Sequence, residues 1–317
     1  LTIKELVLAT NGKLIYGDYN DCVSDIVIDS REANAQNAFV AIVGENLDGH
    51  TFMKSAYDSG CKTFIKNESN GIKLESSDIN LIEVKDTSLA LGDISKYYKE
   101  KFDIPFIGVT GSVGKTTTRD MIYSAISAKL NILKNEKNLN NHFGVPLTLF
   151  NLNKEHECAV IEMGMSGFNE IKYLVDIVNP KIAVISNIGL SHVEKLGSQE
   201  GILKAKMEIT SNFDETNTLI VNGDDKFLST LKEKEHAYKL KTFGFNKNND
   251  VYCESYTMEE DSLTFICVIN GKKEEIFIPT IGEHNIYNAM SAILVGLCLN
   301  ISLDYIKKGL KNFKGTK

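Results

Sequence analysis

The chain has 317 residues, 43% of them hydrophobic, and its 42 acidic against 35 basic side chains leave a net charge of -7. At about 150 residues per domain this length predicts two packed domains and excludes a peptide, a disordered tail and a small disulfide scaffold. The acidic balance argues against coating a polyanion, because nucleic-acid binding rests on a surplus of Lys and Arg. A small anionic substrate can still bind in a local basic pocket.

The six cysteines, Cys22, Cys61, Cys158, Cys253, Cys267 and Cys298, form no CxxC pair and stand at no metal-ligand spacing from a His. They read as reduced thiols. No apolar run approaches the roughly 18 residues that cross a bilayer, and the opening LTIKELVLATNGKL carries charge where a signal peptide is apolar. The expectation is a soluble cytoplasmic protein without membrane insertion. Leu1 in place of Met, and an end at FKGTK just after an amphipathic helix, suggest a fragment of a longer chain.

The first stretch reads as a small α/β unit: a helix over 3–9, strands at 25–28 and 38–42, a helix over 51–59, and strands at 62–65 and 80–84. A helix over 87–101 leads to Pro105. Apolar runs then alternate with helices: PFIGVT before 115–130, CAVIEM before 170–178, IAVISNIG before 198–211 and TLIVN before 226–233. Continuous β-branched runs between helices imply a parallel sheet covered on both faces. From about residue 242 to 279 the pattern alternates, as in VYCESYTM, SLTFICVI and EEIFIP, which predicts an antiparallel meander joined to the parallel sheet. Helices over 285–299 and 303–312 close the chain. The fold class is therefore α/β, a small N-terminal α/β domain over 1–84 followed by a P-loop ATPase domain over 85–317 with a mixed sheet.

The sharpest motif is GVTGSVGKTTT, from Gly108 to Thr118, between a predicted strand and a predicted helix. There Gly111 and Gly114 let the backbone N–H groups of Gly111, Ser112, Val113, Gly114, Lys115, Thr116 and Thr117 wrap phosphate oxygens. Lys115 reaches the outer phosphates, and the Thr116 hydroxyl can ligate magnesium. The motif departs from strict GxxxxGK[ST], since Val109 stands where the first Gly would be. Asn246-Lys247-Asn248-Asn249 lacks the acid of a guanine reader, so guanine selection is not expected.

Glu162 ends the run CAVIE, where a strand-end carboxylate either is simply solvated or holds a magnesium ion beside the phosphate turn. His192 follows IAVISNIG at another strand's carboxyl end, where open α/β sheets bind ligands. A loop hydrogen bond is its plainer role. On the helix over 198–211, Lys206 flanks the apolar stripe Ile202, Ala205 and Ile209, while Lys204 points away. Lys206 either snorkels to water or, if desolvated, loses its proton and becomes reactive. In GEHNIYNAMSAILVGLCLN the apolar positions keep helical spacing, and His284, Asn285 and Asn288 lie off that stripe. Asn285 suits an N-cap as well as an adenine edge.

The ordered set TGSVGKTT, IEMGMS, SNIGLSHVEKLGSQEGILKAKMEI, NGDD and GEHNIYNA resembles the ATP-dependent Mur ligase family over most of the chain. NLNNHFGVPLTLF and SHVEKLGS are similar to the member that joins D-Ala-D-Ala to UDP-MurNAc-tripeptide, and IDSREANAQNAFVAIVGENLDGHTF resembles a uridine-diphosphate-binding domain. The resemblance implies an ATP-dependent amide ligase of peptidoglycan precursor synthesis, acting as a monomer through an acyl phosphate. It implies two magnesium ions, with Thr116 and Glu162 at the first, His192 at the second, and Lys206 as a carbamylated lysine ligand. It also implies adenine-side contacts from His284, Asn285 and Asn288, uridine-diphosphate contacts from Ser30 and Arg31, and approach of Asn138 and Asn141 to the muramoyl-peptide. Catalysis would then rest on Lys115, Lys206, His192 and Glu162.

Two departures qualify the match. Asn169 precedes Glu170 where the family often has Gly, so that loop receives no role. The family also carries a further C-terminal domain, so this chain is expected to bind nucleotide and not to ligate alone. The rival readings are the preceding ligase, which adds a diamino acid to UDP-MurNAc-dipeptide, a folylpolyglutamate synthetase, and a non-catalytic ATP-binding relative.

Overall fold

The computed structural model describes residues 1–315 except 73, 75 and 77; residues 316 and 317, which end the predicted second domain, lie outside the described residues. The chain divides into two compact units. One comprises 1–103 with 142–152, the other 104–141 with 153–317.

The first unit opens with α1 (Ile3–Thr10), closed at its start by a capping box: Thr2 Oγ1 accepts from Glu5 N at 3.1 Å, and Thr2 N donates to Glu5 Oε2 at 2.8 Å. Its five-stranded sheet runs β1-β5-β4-β3-β2, from β1 (Lys13–Tyr16), β2 (Asp25–Val27), β3 (Asn37–Val40), β4 (Thr63–Asn67) and β5 (Asn80–Val84). Only β1 is antiparallel. This strand is absent from the sequence expectation, since KLIY is too short to show alternation. The predicted helix over 51–59 is a 3₁₀ turn, Gly49–Phe52, followed by α2 (Met53–Asp58). Asp86 caps α3 (Thr87–Lys99) through Ser88 N and Leu89 N. Ala90, Leu91 and Ile94 of α3 enter the same core as Ile3 and Leu6 of α1. That burial, at about 1.5–3 kcal/mol for a large apolar side chain, carries the compact unit to Asp103, beyond the boundary expected after Val84. The unpredicted α5 (Gly144–Leu149) returns to this unit, with Phe143, Leu147 and Phe150 packed on that core.

The second unit holds a nine-stranded sheet ordered β14-β13-β12-β11-β10-β9-β6-β8-β7. Its strands are β6 (Phe106–Thr110), β7 (Ile132–Lys134), β8 (Cys158–Glu162), β9 (Ile182–Ile185), β10 (Thr218–Asn222), β11 (Lys239–Gly244), β12 (Val251–Met258), β13 (Leu263–Ile269) and β14 (Lys272–Ile278). The β7-to-β12 portion is parallel, and β12, β13 and β14 form the expected antiparallel meander. Residues 239–244 belong to the parallel part, so the meander starts at Val251.

On one face lie α4 (Lys115–Ser127), α9 (His284–Cys298) and α10 (Leu303–Lys311), whose apolar sides share a core with Ile107 and Val109. Alternation along β6 turns Gly108 to the other face. A Cβ there would approach Ile209, just after α8 (Gln199–Met207), and α6 (Glu170–Val178) packs against the 3₁₀ turn Glu208–Thr210 that contains Ile209. Between β9 and α8 lies the short α7 (Val193–Leu196). The helix expected over 226–233 is a 3₁₀ segment, Leu228–Glu233, in which Leu228 and Leu231 are both buried. Their spacing of three suits the tighter helix.

Candidate active site

Parallel pairing sets β6 between β8 and β9, with Val109 opposite Glu162 and Thr110 opposite Ile185. Their carboxyl ends therefore share one edge, the usual ligand edge of such a sheet. The phosphate turn leaves β6 there. Val109 stays inside the strand and is fully buried, which explains why no loop glycine stands at that position. Gly114 has φ 73°, a left-handed conformation that favours glycine, and directly precedes α4. A Cβ on Gly111 would overlap Ser186 Oγ, so that glycine is required by close approach.

Lys115 donates from Nζ to its own turn, at Gly111 O, 3.1 Å away. Thr116 Oγ1 donates to Glu162 Oε2 at 2.9 Å. Glu162 is 1% exposed, and its other oxygen accepts from Asn140 Nδ2 at 2.8 Å. Asn135, fully buried, exchanges two hydrogen bonds with the Glu162 backbone, both 2.9 Å. Arg119, equally hidden, reaches Glu162 Oε2 at 3.4 Å and Asp120 Oδ1 at 2.7 Å, and Lys134 also pairs with Asp120. A hydroxyl and a carboxylate already in contact are hard oxygen donors of the kind a magnesium ion takes. Among the described residues no three His, Cys, Asp or Glu side chains converge on one point. His192 is exposed and precedes α7 with φ 65°.

Lys206 is 2% exposed. Burial, then the nearby charge of Lys115, pushes its amine down to about 7 from the ordinary 10.5. The flank position has thus turned inward rather than snorkelling. Lys204, by contrast, lies over the Phe168 ring.

In α9, Asn285 and Asn288 are both buried, while His284 is exposed. Thr118 Oγ1 donates to Asn288 Oδ1 at 2.8 Å, Asn288 Nδ2 to Asn285 Oδ1 at 3.2 Å, and Asn285 Nδ2 to Ile281 O at 2.8 Å. The residue before the helix is Glu283, so Asn285 is not its N-cap. The pair instead ties α9 to the phosphate-turn helix.

Asn138 and Asn141 lie exposed in the loop after β7, and Asn140 of the same NLNN stretch is the one that touches Glu162. In the first unit Ser30 is half-buried, and Arg31, 87% exposed at its side chain, pairs with Asp29 through Nε at 2.9 and 3.1 Å and Nη2 at 2.5 Å. That guanidinium holds the Asp29 carboxyl down to about 2. Asn169 has φ 67° before α6, a conformation Asn tolerates better than most residues, which accounts for an Asn where Gly is frequent.

The sequence expectation missed Asn135, Asn140, Arg119 and Asn187. Arg119 carried a signal, a charge one turn after Lys115 on a helix whose neighbours Met121 and Ile122 are core. The asparagines stand in loops, where their composition signals only turns.

The chain matches the Mur ligase middle domain over residues 109–296 and the Mur ligase family catalytic domain over residues 23–99. It is 36% identical, over 99% of its length and 67% of the relative's, to the UDP-N-acetylmuramoyl-tripeptide--D-alanyl-D-alanine ligase of Bacillus subtilis. Among solved structures it is similar to a MurF from Acinetobacter baumannii, with TM-score 0.92 and 34% identity over all of this chain and 69% of that one. It is also similar to the MurF ligase of Thermotoga maritima in complex with ADP, with TM-score 0.83 and 26% identity over 92% of this chain and 66% of that one. With fold, phosphate turn and relatives in agreement, the chain belongs to the Mur ligase family.

Proposed function

We propose that this chain carries the nucleotide- and UDP-sugar-binding parts of an ATP-dependent ligase that joins D-Ala-D-Ala to UDP-MurNAc-tripeptide in the cytoplasm. The observation that carries the reading is the Thr116–Glu162 contact beside the phosphate turn, in a chain aligned over 99% of its length with a ligase of that name. The carboxylate of the tripeptide is a poor electrophile. Transfer of the γ-phosphoryl group makes an acyl phosphate and ADP; the dipeptide amine then forms the amide bond, with loss of phosphate and one proton. The protein's task is positioning and charge neutralisation.

In this reading Lys115 exchanges its bond to Gly111 O for phosphate oxygens, and the N–H groups at the start of α4 face the phosphates. Thr116 and Glu162 fit a magnesium ion, which when bound supplies charge neutralisation at the phosphates. Asn135, Asn140 and Arg119 hold Glu162 in place. Lys206, with about half its amine unprotonated at pH 7, is suited to take up CO2: the neutral nitrogen bonds the carbon, one proton leaves, and the side chain becomes an anionic oxygen donor. His192 is assigned to a second magnesium ion by resemblance alone. Ser30 and Arg31 would read the uridine diphosphate; the Arg31 fork, now paired with Asp29, has the bidentate geometry that a diphosphate needs. Asn138 and Asn141 are assigned to the muramoyl-peptide, and Asn285 and Asn288, with His284, to the adenine side.

The deciding assay is phosphate release from ATP by the complete protein. Release is expected only with UDP-MurNAc-tripeptide and D-Ala-D-Ala together. Turnover with UDP-MurNAc-dipeptide and a diamino acid instead would transfer the chain to the preceding ligase, and nucleotide binding without turnover on either pair would favour a non-catalytic relative.

A further inference from the structure

The phosphate turn is not free along its whole length. Asn187, two residues beyond β9, directs Oδ1 at the N–H groups of both Ser112 and Val113, at 3.1 and 3.0 Å, and Nδ2 at Val113 O, at 2.9 Å. Its backbone carbonyl also accepts from Ser112 N at 3.1 Å. The neighbours close the same grip. Ser186 Oγ fills the space a Gly111 side chain would need, and Ser191 Oγ donates to Ser112 O at 3.2 Å. This segment is itself anchored, because Ile188 N donates to Asp225 Oδ2 at 2.9 Å. Asp225 lies just after β10 and uses its other oxygen to accept from Phe227 N and Leu228 N.

We propose that Asn187 is a positioning residue for the nucleotide: its carboxamide clamps the first half of the phosphate turn, so that phosphate recognition falls to the N–H groups of Gly114, Lys115 and Thr116. This deepens the proposed ATP reading and rests on it. Among the described residues no acceptor meets those three N–H groups, whereas Ser112 N and Val113 N are already satisfied. A Gly-rich turn without the clamp would sample many shapes, and the nucleotide would have to order it at binding. A turn held in advance avoids that entropy. The double acceptor also explains the residue type. Asparagine alone among uncharged short side chains offers one oxygen for two N–H groups and an N–H for the carbonyl that follows them. Asp225 is the outer support of the clamp, which gives the second acid of NGDD a task besides turn formation.

The test uses this chain with ATP and with AMP, which lacks the outer phosphates, together with hydrogen exchange at the Ser112 and Val113 amides. Asn187→Ala is expected to weaken ATP about tenfold, the loss of one or two hydrogen bonds, to leave AMP within about twofold, and to accelerate exchange at the Val113 amide, while Ser112 N keeps the backbone carbonyl of residue 187. Asn187→Asp keeps the acceptor, so both amides stay slow. ATP affinity within about twofold of wild type in Asn187→Ala, an equal loss of ATP and AMP, or unchanged exchange at Val113 each overturns the proposal. If Asn187→Ala does not fold, Asn187→Asp decides: slow amides support the clamp and fast ones refute it. A wild-type chain that binds no ATP refutes the nucleotide reading, while the exchange rates still judge the clamp.

Discussion

Replacing Lys206 by Met should make the protein more stable, and the gain should shrink as pH rises. The side chain is 2% exposed, and burial together with the Lys115 charge pushes its amine down to about 7 from 10.5. Between those two values the unfolded chain binds a proton that the folded chain does not. Stability therefore rises with pH through this window, and the full penalty remains below it. A gap of that size corresponds to at most on the order of 5 kcal/mol at low pH, and from pH 7 to 9 the wild type should gain about 2 kcal/mol relative to Lys206→Met. The measurement is guanidinium unfolding of both proteins at pH 7, 8 and 9 in CO2-free buffer. The difference between them isolates Lys206, because buried thiols such as Cys158 and Cys267, each pushed up to about 12, contribute equally to both proteins. Added bicarbonate should stabilise only the wild type, by the mass action of a ligand bound to the folded state. Parallel stability curves for the two proteins from pH 7 to 9 would refute the account of a desolvated, mostly neutral amine. A bicarbonate effect of equal size in Lys206→Met would refute its carbamylation.

Gly111→Ala places a methyl group on Ser186 Oγ, so ATP affinity should fall tenfold or more, by about 1–3 kcal/mol of overpacking; Ser186→Ala should restore part of it in calorimetric titrations, and no rescue would refute the steric cause. Arg119→Met leaves Glu162 without its buried counter-charge, while Asp120 keeps Lys134, and should cost about 3 kcal/mol in denaturant unfolding; a change under about 0.5 kcal/mol, the size of a neutral surface substitution, would show that the pair is idle. Glu162→Gln keeps the shape but removes the anion beside Thr116. ATP binding in that variant should lose its dependence on magnesium, and an unchanged magnesium titration would move the metal site elsewhere.

Much of the scaffold was legible because its strands are buried on both faces. Cys158–Glu162 and Asn80–Val84 read directly as apolar runs, and Glu170–Val178 shows its helical stripe without ambiguity. The misses share a cause. Lys13–Tyr16, Ile132–Lys134 and Gly144–Leu149 are too short to show a period, and their stability comes from partners distant in sequence. The helix expected over 226–233 failed in type, because the spacing of Leu228 and Leu231 fits either helix and does not say which. At the site the motif residues Lys115, Thr116 and Glu162 were legible from a turn between strand and helix. Their supports were not, since nothing in the local sequence of Asn135 or Asn187 says which loop it faces.

The paired state of the site has an electrostatic consequence for a chain of net charge -7. Thr116 is engaged by Glu162, Lys115 by a carbonyl, and Thr118 by Asn288. The least satisfied charges are therefore the cations: Lys115 has a neutral oxygen where an anion would bind more strongly, and its repulsion helps strip the proton from Lys206. An anion entering here relieves that repulsion and gives Lys115 a charged acceptor, while the polar frame around it needs little rearrangement. A cation without an anionic partner among the described residues thus lies at the sheet edge where phosphate would sit, in a chain whose net charge is acidic. Raising salt should accordingly weaken ATP binding less than it weakens an exposed ion pair, because the partly buried lysines are poorly screened. A salt dependence as steep as that of surface pairs would place the bound phosphates outside this frame.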